Sequence, residues 1–227
     1  MTQADDQWVL TLGRLEAKMD KVLPPSLAAH LEMSEADFSR LRNIFDAQSF
    51  VFTCEILPIL WGLYPSGYHR LKLLDVGSRT GGGTELLRYL HNPHSFSRIK
   101  LDVTALDIDR SYSAYSSAVF PDLKFVYGDI FDPAMDAGYD IVLCSHTIEH
   151  VPQPHFFLER LQKMARQWVI VATPFAEQNL IQGHVNRMDY EFFEKTNAVS
   201  NHVYRSLTWH QSMACIAVYK GTRDAAV

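Results

Sequence analysis

The residues of this chain that can do chemistry stand at the ends of short apolar runs. Leu71-Lys-Leu-Leu-Asp-Val76 carries Asp75 near its end and runs into Gly77, with the triplet Gly81-Gly82-Gly83 just beyond. Leu101 to Leu106 ends at Asp107, Leu123 to Tyr127 ends at Gly128-Asp129, and Tyr139 to Cys144 ends at Ser145-His146. Glycines let a backbone approach a ligand closely, and a helix N-terminus behind them offers N–H groups. A carboxylate after a second strand can accept both hydroxyls of a ribose. One after a third strand can accept from an adenine amino group. Histidine titrates near neutral pH, which makes His146 and His150 candidates for moving a proton. Each feature alone is an ordinary α/β loop. In this order and at these spacings they read as a nucleotide-cofactor site.

The elements that must position these groups alternate. Leu71–Val76, residues 101–106, 123–127, 139–144 and 168–172 read as strands, the fourth almost wholly apolar as for a strand covered on both faces. Helices are expected from Thr84, which is placed to cap, through Leu90, and over 110–120, 156–166 and 188–195. Val203 to Trp209 and Met213 to Tyr219 are two further β-like runs, separated by His210-Gln-Ser212, a hairpin-length gap. The pattern predicts an α/β fold: a doubly wound, mostly parallel, seven-stranded sheet closed at its edge by an antiparallel C-terminal hairpin strand. Residues 1–68 read as an N-terminal helical cap or lid, and 69–222 as the cofactor-binding domain. Within the cap, helical spacing runs from Trp8 to Val22 and is stopped by Pro24-Pro25. Ser34 is a plausible N-cap, and Phe50 to Leu63 is very apolar, with Pro58 marking a kink or a new start.

The 227 residues suffice for one large domain, or one with an appendage. A net charge of −5 argues against a general nucleic-acid binder. The modest basic cluster of Arg88, His91, His94, Arg98 and Lys100 reads as a solvated connection. The sequence shows no obvious run of about 18 apolar residues, so no membrane span is expected. The acidic start lacks a signal-peptide pattern, and the three dispersed cysteines suit reduced, buried thiols. A cytoplasmic protein acting on a small molecule is the expectation. Oligomeric state is left open.

On the segments LLDVGSRTGGGT, TALDID, VYGDIFD, YDIVLCSHTIEHVPQP, VIVATPF and GHVNRMDYEFF, the chain resembles the class I S-adenosylmethionine-dependent methyltransferases. Within them it is most similar to the small-molecule branch, the type 11 enzymes that include ubiquinone-biosynthesis O-methyltransferases. The resemblance spans about residues 70 to 220. It implies that Asp75, Gly77, Ser78 and Gly81 hold the methionyl part of S-adenosylmethionine, and that Asp107 with Ile108 binds the ribose. Asp129 and Ile130 would hold the adenine edge, with Ser145 beneath the sulfonium. Arg79 stands where the family usually has a second glycine. There it either strains the loop or points over the site towards an anionic substrate or the cofactor carboxylate.

His146 and His150 are then the candidate bases for methylation of a hydroxyl. The resemblance also implies a divalent-metal site at His146, Glu149, His150 and His184, because small-RNA 2′-O-methyltransferases and ubiquinone O-methyltransferases share a Glu-x-x-Glu-His arrangement with a later histidine. His146-Thr-Ile-Glu-His150 also matches the H-x-x-E-H pattern of zinc hydrolases, which needs a sustained helix that Val151-Pro-Gln-Pro154 would cut short. Two other readings stay open: a nicotinamide-dependent oxidoreductase, although the loop lacks G-x-G-x-x-G, and a non-catalytic methyltransferase-like binding module. Trp8, Phe45, Phe50, Trp61, Tyr64, Phe175, Tyr190 and Phe192 are candidates for enclosing a substrate ring.

Overall fold

The computed structural model describes residues 28, 31–135, 138–181, 183–206 and 212–224. The expected helix from Trp8 to Val22 with Pro24-Pro25 after it, the aromatic Trp8, and His210-Gln211 of the hairpin gap lie outside the described residues. Helix α1 (Glu35–Arg40) starts on Ser34, whose hydroxyl accepts from the Asp37 N–H at 3.1 Å. It runs through a π-helical stretch (Leu41–Asp46) into α2 (Ala47–Leu63). Strands β1 (His69–Val76), β2 (Ile99–Asp107), β3 (Lys124–Tyr127), β4 (Tyr139–Ser145), β5 (Ala165–Pro174), β6 (Ser200–Arg205) and β7 (Met213–Lys220) form one sheet. Between them lie α3 (Gly82–Leu90), α4 (Ser113–Val119), α5 (Pro154–Met164) and α6 (Tyr190–Lys195).

The sheet order is β3-β2-β1-β4-β5-β7-β6, with the first five strands parallel. β7 runs antiparallel between β5 and β6. The antiparallel strand therefore sits inside the sheet, and the edge expected for it belongs to β6. Side chains alternate along each strand, so the sheet buries two faces. One face packs Leu73, Val103, Ile141 and Ile170 against Ile56, Leu57 and Leu60 of α2 and Leu87 of α3. The other packs Leu74, Val142 and Val171 against Phe157, Leu158 and Leu161 of α5 and Phe193 of α6. All three cysteines are free and buried.

Several local expectations are corrected. Pro58 lies inside α2 and does not restart it. The burial of Ile56, Leu57 and Leu60 on the sheet outweighs the hydrogen bond that a mid-helix proline forfeits. Glu35–Leu63 is a continuous 29-residue helical run, long and apolar enough to cross a membrane by length and composition, and 44% of its most apolar window is buried in the protein. α3 is capped by Gly81 and not by Thr84, whose hydroxyl is committed elsewhere. β5 begins at Ala165, where α5 had been expected to continue, because Ala165 pairs with Tyr139.

The π-helical stretch buries Asp46, which joins the helical arm to the glycine loop after β1. Thr80 and Tyr115 each donate a hydroxyl hydrogen bond to it at 2.5 Å, and burial pushes its carboxyl up to about 6. Gly82 and Gly83 serve this same contact. A Cβ on Gly82 would meet Asp46 Oδ1 at 2.9 Å and its Cα at 3.1 Å, and one on Gly83 would press on Thr53 and the Ser49 carbonyl. These two glycines therefore admit the helical arm, Gly82 at Asp46 and Gly83 at α2, where the sequence suggested that they admit a ligand.

Two glycine-to-alanine substitutions should consequently differ in sign. Gly82→Ala is expected to lower the unfolding free energy by about 1–3 kcal/mol through overpacking on Asp46. Gly62, on the exposed side of α2 with nothing within 4 Å of an added Cβ, should gain about 0.5 kcal/mol on the same change. Urea unfolding of both variants checks the pair. Equal effects would remove the packing account of Gly82.

Candidate functional site

The register of the sheet brings the expected residues to one edge. Val76 pairs with Leu106 on one side and Cys144 on the other, so Gly77, Asp107 and Ser145 follow on three adjacent strands. The chain turns out of β1 by way of Gly77 (φ 77°), Arg79 (φ 53°) and Gly81 (φ 89°), all in the left-handed region. The Gly77 N–H donates to the Leu106 carbonyl at 2.8 Å, which pins the turn to β2. A Cβ on Gly77 would collide with the Thr147 side chain, and one on Gly81 with Leu123 and Phe125. Both glycines are thus demanded by the protein's own packing.

The acidic residues brace the loops they begin. Asp107 accepts from the Arg79 N–H at 2.6 Å and the Asp109 N–H at 2.9 Å, and Asp129 accepts from the Phe131 N–H at 2.9 Å. Each carboxylate oxygen has two lone pairs, so both groups keep accepting capacity. Asp75 is buried, and the Thr84 hydroxyl donates to it at 2.5 Å. Burial pushes its carboxyl up to about 7, with Thr84 opposing and the nearby Asp107 charge adding to the rise. Ser145 Oγ is buried without a hydrogen-bond partner among the described residues.

After β4 the chain makes one 3-10 turn, Ile148–His150. No sustained helix carries His146 and His150, which removes the zinc-hydrolase reading. His146 has φ 49°, and its ring stacks on Phe52 of α2 at 3.6 Å and 15°. A non-glycine residue held there stores strain on the order of 1–3 kcal/mol, and such strain gathers at functional sites. His146 Nδ1 lies 3.5 Å from Glu149 Oε1. Burial raises the carboxyl of Glu149, but His146, its own backbone and His150 pull it below the ordinary range, so it is held ionised. Thr173 donates to its other oxygen at 3.1 Å.

The loop after β5 returns His184 to this place. Ligand atoms of Glu149, His150 and His184 lie within 4.8 Å of one another. His146, placed among the metal ligands by the sequence, stands beside this group and touches it through Glu149. His150 Nδ1 is 2.8 Å from the Gly183 carbonyl, and His184 Nδ1 is 2.6 Å from the Glu177 carboxylate. Facing these acceptors, each Nδ1 is placed to donate, the arrangement that in a neutral imidazole leaves the lone pair on Nε2.

Two spaces meet at Gly77, Arg79 and His146. The larger, about 500 Å³, is lined by Asp107, Ile108, Asp129, Ile130 and His150 among others. The smaller, about 40 Å³, is lined by Asp75, Ser78 and Ser145 and is roofed by Gln48, Phe52 and Thr53 of α2. Gly81, Glu149 and His184 line neither. Of the aromatic candidates, Phe50, Tyr64, Phe175 and Phe192 are core, and Trp61 and Tyr190 are exposed. The rings that reach the two spaces are Phe52, Tyr112, Phe131 and Phe157, which the sequence reading did not single out. Phe52 and Glu177 had no local signal, since their partners lie far along the chain or beyond a turn.

Residues 74–171 match a family profile described as a methyltransferase domain. The mitochondrial ubiquinone biosynthesis O-methyltransferase of Schizosaccharomyces pombe is 23% identical over 95 residues, covering 42% of this chain and 34% of that protein. The chain thus spans about a third of the length of the curated relative it matches. Among solved structures, the CurJ carbon methyltransferase superposes with a TM-score of 0.58 at 14% identity, over 82% of this chain and 57% of that one. The DhpI–SAH complex gives 0.54 at 21% identity, over 83% and 95%. At these identities the structural likenesses show a shared fold.

The buried carboxyl beneath the loop has a pH signature. An acid whose folded pKa is raised stabilises the fold only below its unfolded value, near 4, and this stability is lost as pH rises through the folded value. For Asp75 the loss extends to about pH 7 and amounts to an order of 3–4 kcal/mol. Asp46 contributes the same sign only up to about pH 6. Asp75→Asn keeps an acceptor for Thr84 and should remove the decline between pH 6 and 7. Urea midpoints at pH 5, 6, 7 and 8 check it; an unchanged decline in the variant would place the slope elsewhere.

Proposed function

We propose, from the methyltransferase domain over residues 74–171 and the site at its strand ends, that this protein moves a methyl group from S-adenosylmethionine to a hydroxyl of a small molecule. The observation that carries the reading is the run of Asp75, Asp107, Asp129 and Ser145 along adjacent strand ends, opening on two spaces that meet at Gly77, Arg79 and His146. The residues fit the cofactor. Asp107 and Asp129 keep accepting capacity in the larger space for ribose hydroxyls and an adenine amino group. In the smaller space, among the described residues, Ser145 Oγ is buried without a partner and no cation pairs with the carboxyl of Asp75. When bound, S-adenosylmethionine supplies a methyl group already activated on a sulfonium.

What remains for the protein is to align, to exclude water and to take a proton. Alignment of reacting groups contributes up to about 7–11 kcal/mol in favourable cases. Gln48, Phe52 and Thr53 of α2 roof the smaller space. His146, held between the Phe52 ring and the ionised Glu149, is the proton acceptor for the substrate hydroxyl. Glu149 faces Nδ1, which leaves Nε2 as the basic nitrogen. The similarity to an O-methyltransferase supports oxygen as the acceptor atom.

A divalent cation is the second component of the proposal. Glu149, His150 and His184 converge, and the Gly183 carbonyl and Glu177 hold the two imidazoles in the tautomer that a metal requires. Two imidazoles and a carboxylate suit zinc or another divalent transition ion. When bound, the ion supplies Lewis acidity towards a substrate oxygen in the adjoining cleft.

Calorimetric titration is expected to show binding of S-adenosylhomocysteine and none of NAD; the reverse would sink the reading. Asp107→Ala should weaken S-adenosylmethionine by about 1–3 kcal/mol. Transfer of labelled methyl to a panel of hydroxylated, amine and carbon acceptors tests the oxygen assignment, with label on an amine or carbon overturning it. Protein purified without chelator should hold one equivalent of metal, lost in His184→Ala. Full activity in chelator, with no bound metal, would end the metal component and leave His146 as the group whose replacement stops transfer.

A further inference from the structure

We infer that the end of the sheet opposite the crevice, where β1 and β2 begin, is a docking face for an anionic lipid surface.

The connection from α2 to β1 and the connection from α3 to β2 meet there. The Arg98 guanidinium donates to the Pro65 carbonyl at 3.3 Å, and the His69 N–H donates to the Arg98 carbonyl at 3.0 Å. The Trp61 ring, in the last turn of α2, meets the His91 ring just past α3 edge-on, with centroids 6.4 Å apart. Four large rings stand in water around this junction: Trp61, Tyr68, Tyr89 and Phe96. Tyr68 is 84% exposed, and Phe96 is exposed over its whole surface. The loop that carries Phe96 is nonetheless tied down. The Ser95 hydroxyl donates to the Asn92 carbonyl at 2.8 Å, and the Lys100 ammonium donates to the Ser95 carbonyl. An ordered loop that holds a phenyl ring out into water gains nothing from it within the fold.

The basic cluster read from the sequence as a solvated connection divides here. His91 is buried, with Nδ1 facing Ser97 Oγ at 2.7 Å, and Arg88 is committed to Glu85 by two bonds of 2.7 Å. Arg98 and Lys100 remain, and β1 adds Arg70, the register partner of Lys100. Like charges side by side on adjacent strands repel. Among the described residues, no carboxylate pairs with Arg70, Arg98 or Lys100. The next charged pair in the register sets Lys72 beside Asp102 and is balanced.

A chain of net charge −5 thus gathers unpaired cations and exposed rings at one end. The rings protrude singly from four segments and line neither of the two spaces. A single-stranded nucleic acid stacks its bases on rings set along a basic groove. Rings that project separately suit an interface without fixed shape. Trp and Tyr side chains favour the headgroup level of a bilayer, a phenyl ring reaches the acyl boundary, and Arg and Lys attract anionic headgroups. Docked by this end, the protein turns the carboxyl ends of its parallel strands, and the crevice with them, towards water.

Co-flotation of the full chain with phosphatidylcholine vesicles, with and without phosphatidylglycerol, tests the inference. At low salt the anionic vesicles are expected to hold at least about 10-fold more protein, and about 0.5 M salt should remove most of the difference. Phe96→Ser should cut binding to the anionic vesicles about 10-fold. Arg70→Glu combined with Arg98→Glu should abolish the preference between the two vesicles. Ile44→Ser, which removes an equally exposed apolar side chain from the helical arm, should change nothing. All variants should keep the wild-type affinity for S-adenosylhomocysteine, since none touches the crevice. Equal or absent binding to the two vesicles overturns the inference. So does binding that survives both the Phe96 and the double-arginine changes, or that falls equally with Ile44→Ser. A single-stranded oligonucleotide bound in preference to the vesicles, and lost in the same two variants, would assign the face to nucleic acid and overturn the lipid reading.

Discussion

Parallel pairing of β1 with β2 on one side and β4 on the other is the constraint from which the site follows. The strand order turns at β1, so the connections from β1 and β4 leave in opposite directions and open a crevice at the carboxyl ends. Register then aligns chemistry. Val76 opposite Leu106 and Cys144 puts the glycine turn, Asp107 and Ser145 side by side. A slip of one residue in β1 would turn Asp75 from the crevice to the other face and bring a leucine or valine in its place.

The second dependence is the roof. α2 packs on the sheet through Ile56, Leu57 and Leu60, while Asp46 just before it and its own Gln48 meet the glycine loop at Thr80 and Arg79, and its Phe52 stacks on His146 after β4. The burial of Asp46 is costly, and the hydroxyls of Thr80 and Tyr115 offset it. Gly82 and Gly83 exist as glycines because the helical arm comes so close. The cover over the smaller space is therefore part of the same core as the sheet beneath it.

Charge is distributed on both sides of the crevice. Near β1, Asp75 and Arg79 share a space and do not pair. Near β4, Glu149 is held ionised by His146 and His150, and Thr173 donates to one of its oxygens. Arg79 and His146, both strained at positive φ, stand where the two spaces meet. Their backbones are over-determined, by Asp107 in one case and by pairing of the His146 N–H with the Ala172 carbonyl in the other.

The strands, their acidic ends and the polar turn after β4 were legible in the sequence because each rests on a local rule. An apolar run of strand length buries both faces, and a polar residue at its end lies where such sheets bind ligands. Ser34 as a cap was read on the same footing. Tertiary structure decided what depends on distant neighbours. Thr84 bonds Asp75 and leaves the cap of α3 to Gly81, because β1 lies beneath it. Pro58 stays helical because the sheet rewards the residues around it. β7 enters between β5 and β6, since β5 offers it a full ladder from Trp168 to Pro174. The stack of Phe52 on His146 and the bond of Glu177 to His184 join segments that no periodicity links. Local pattern encodes which side of an element is buried and where it ends. Which group meets which across the crevice is set by long-range adjacency, and that exists only once the sheet has formed.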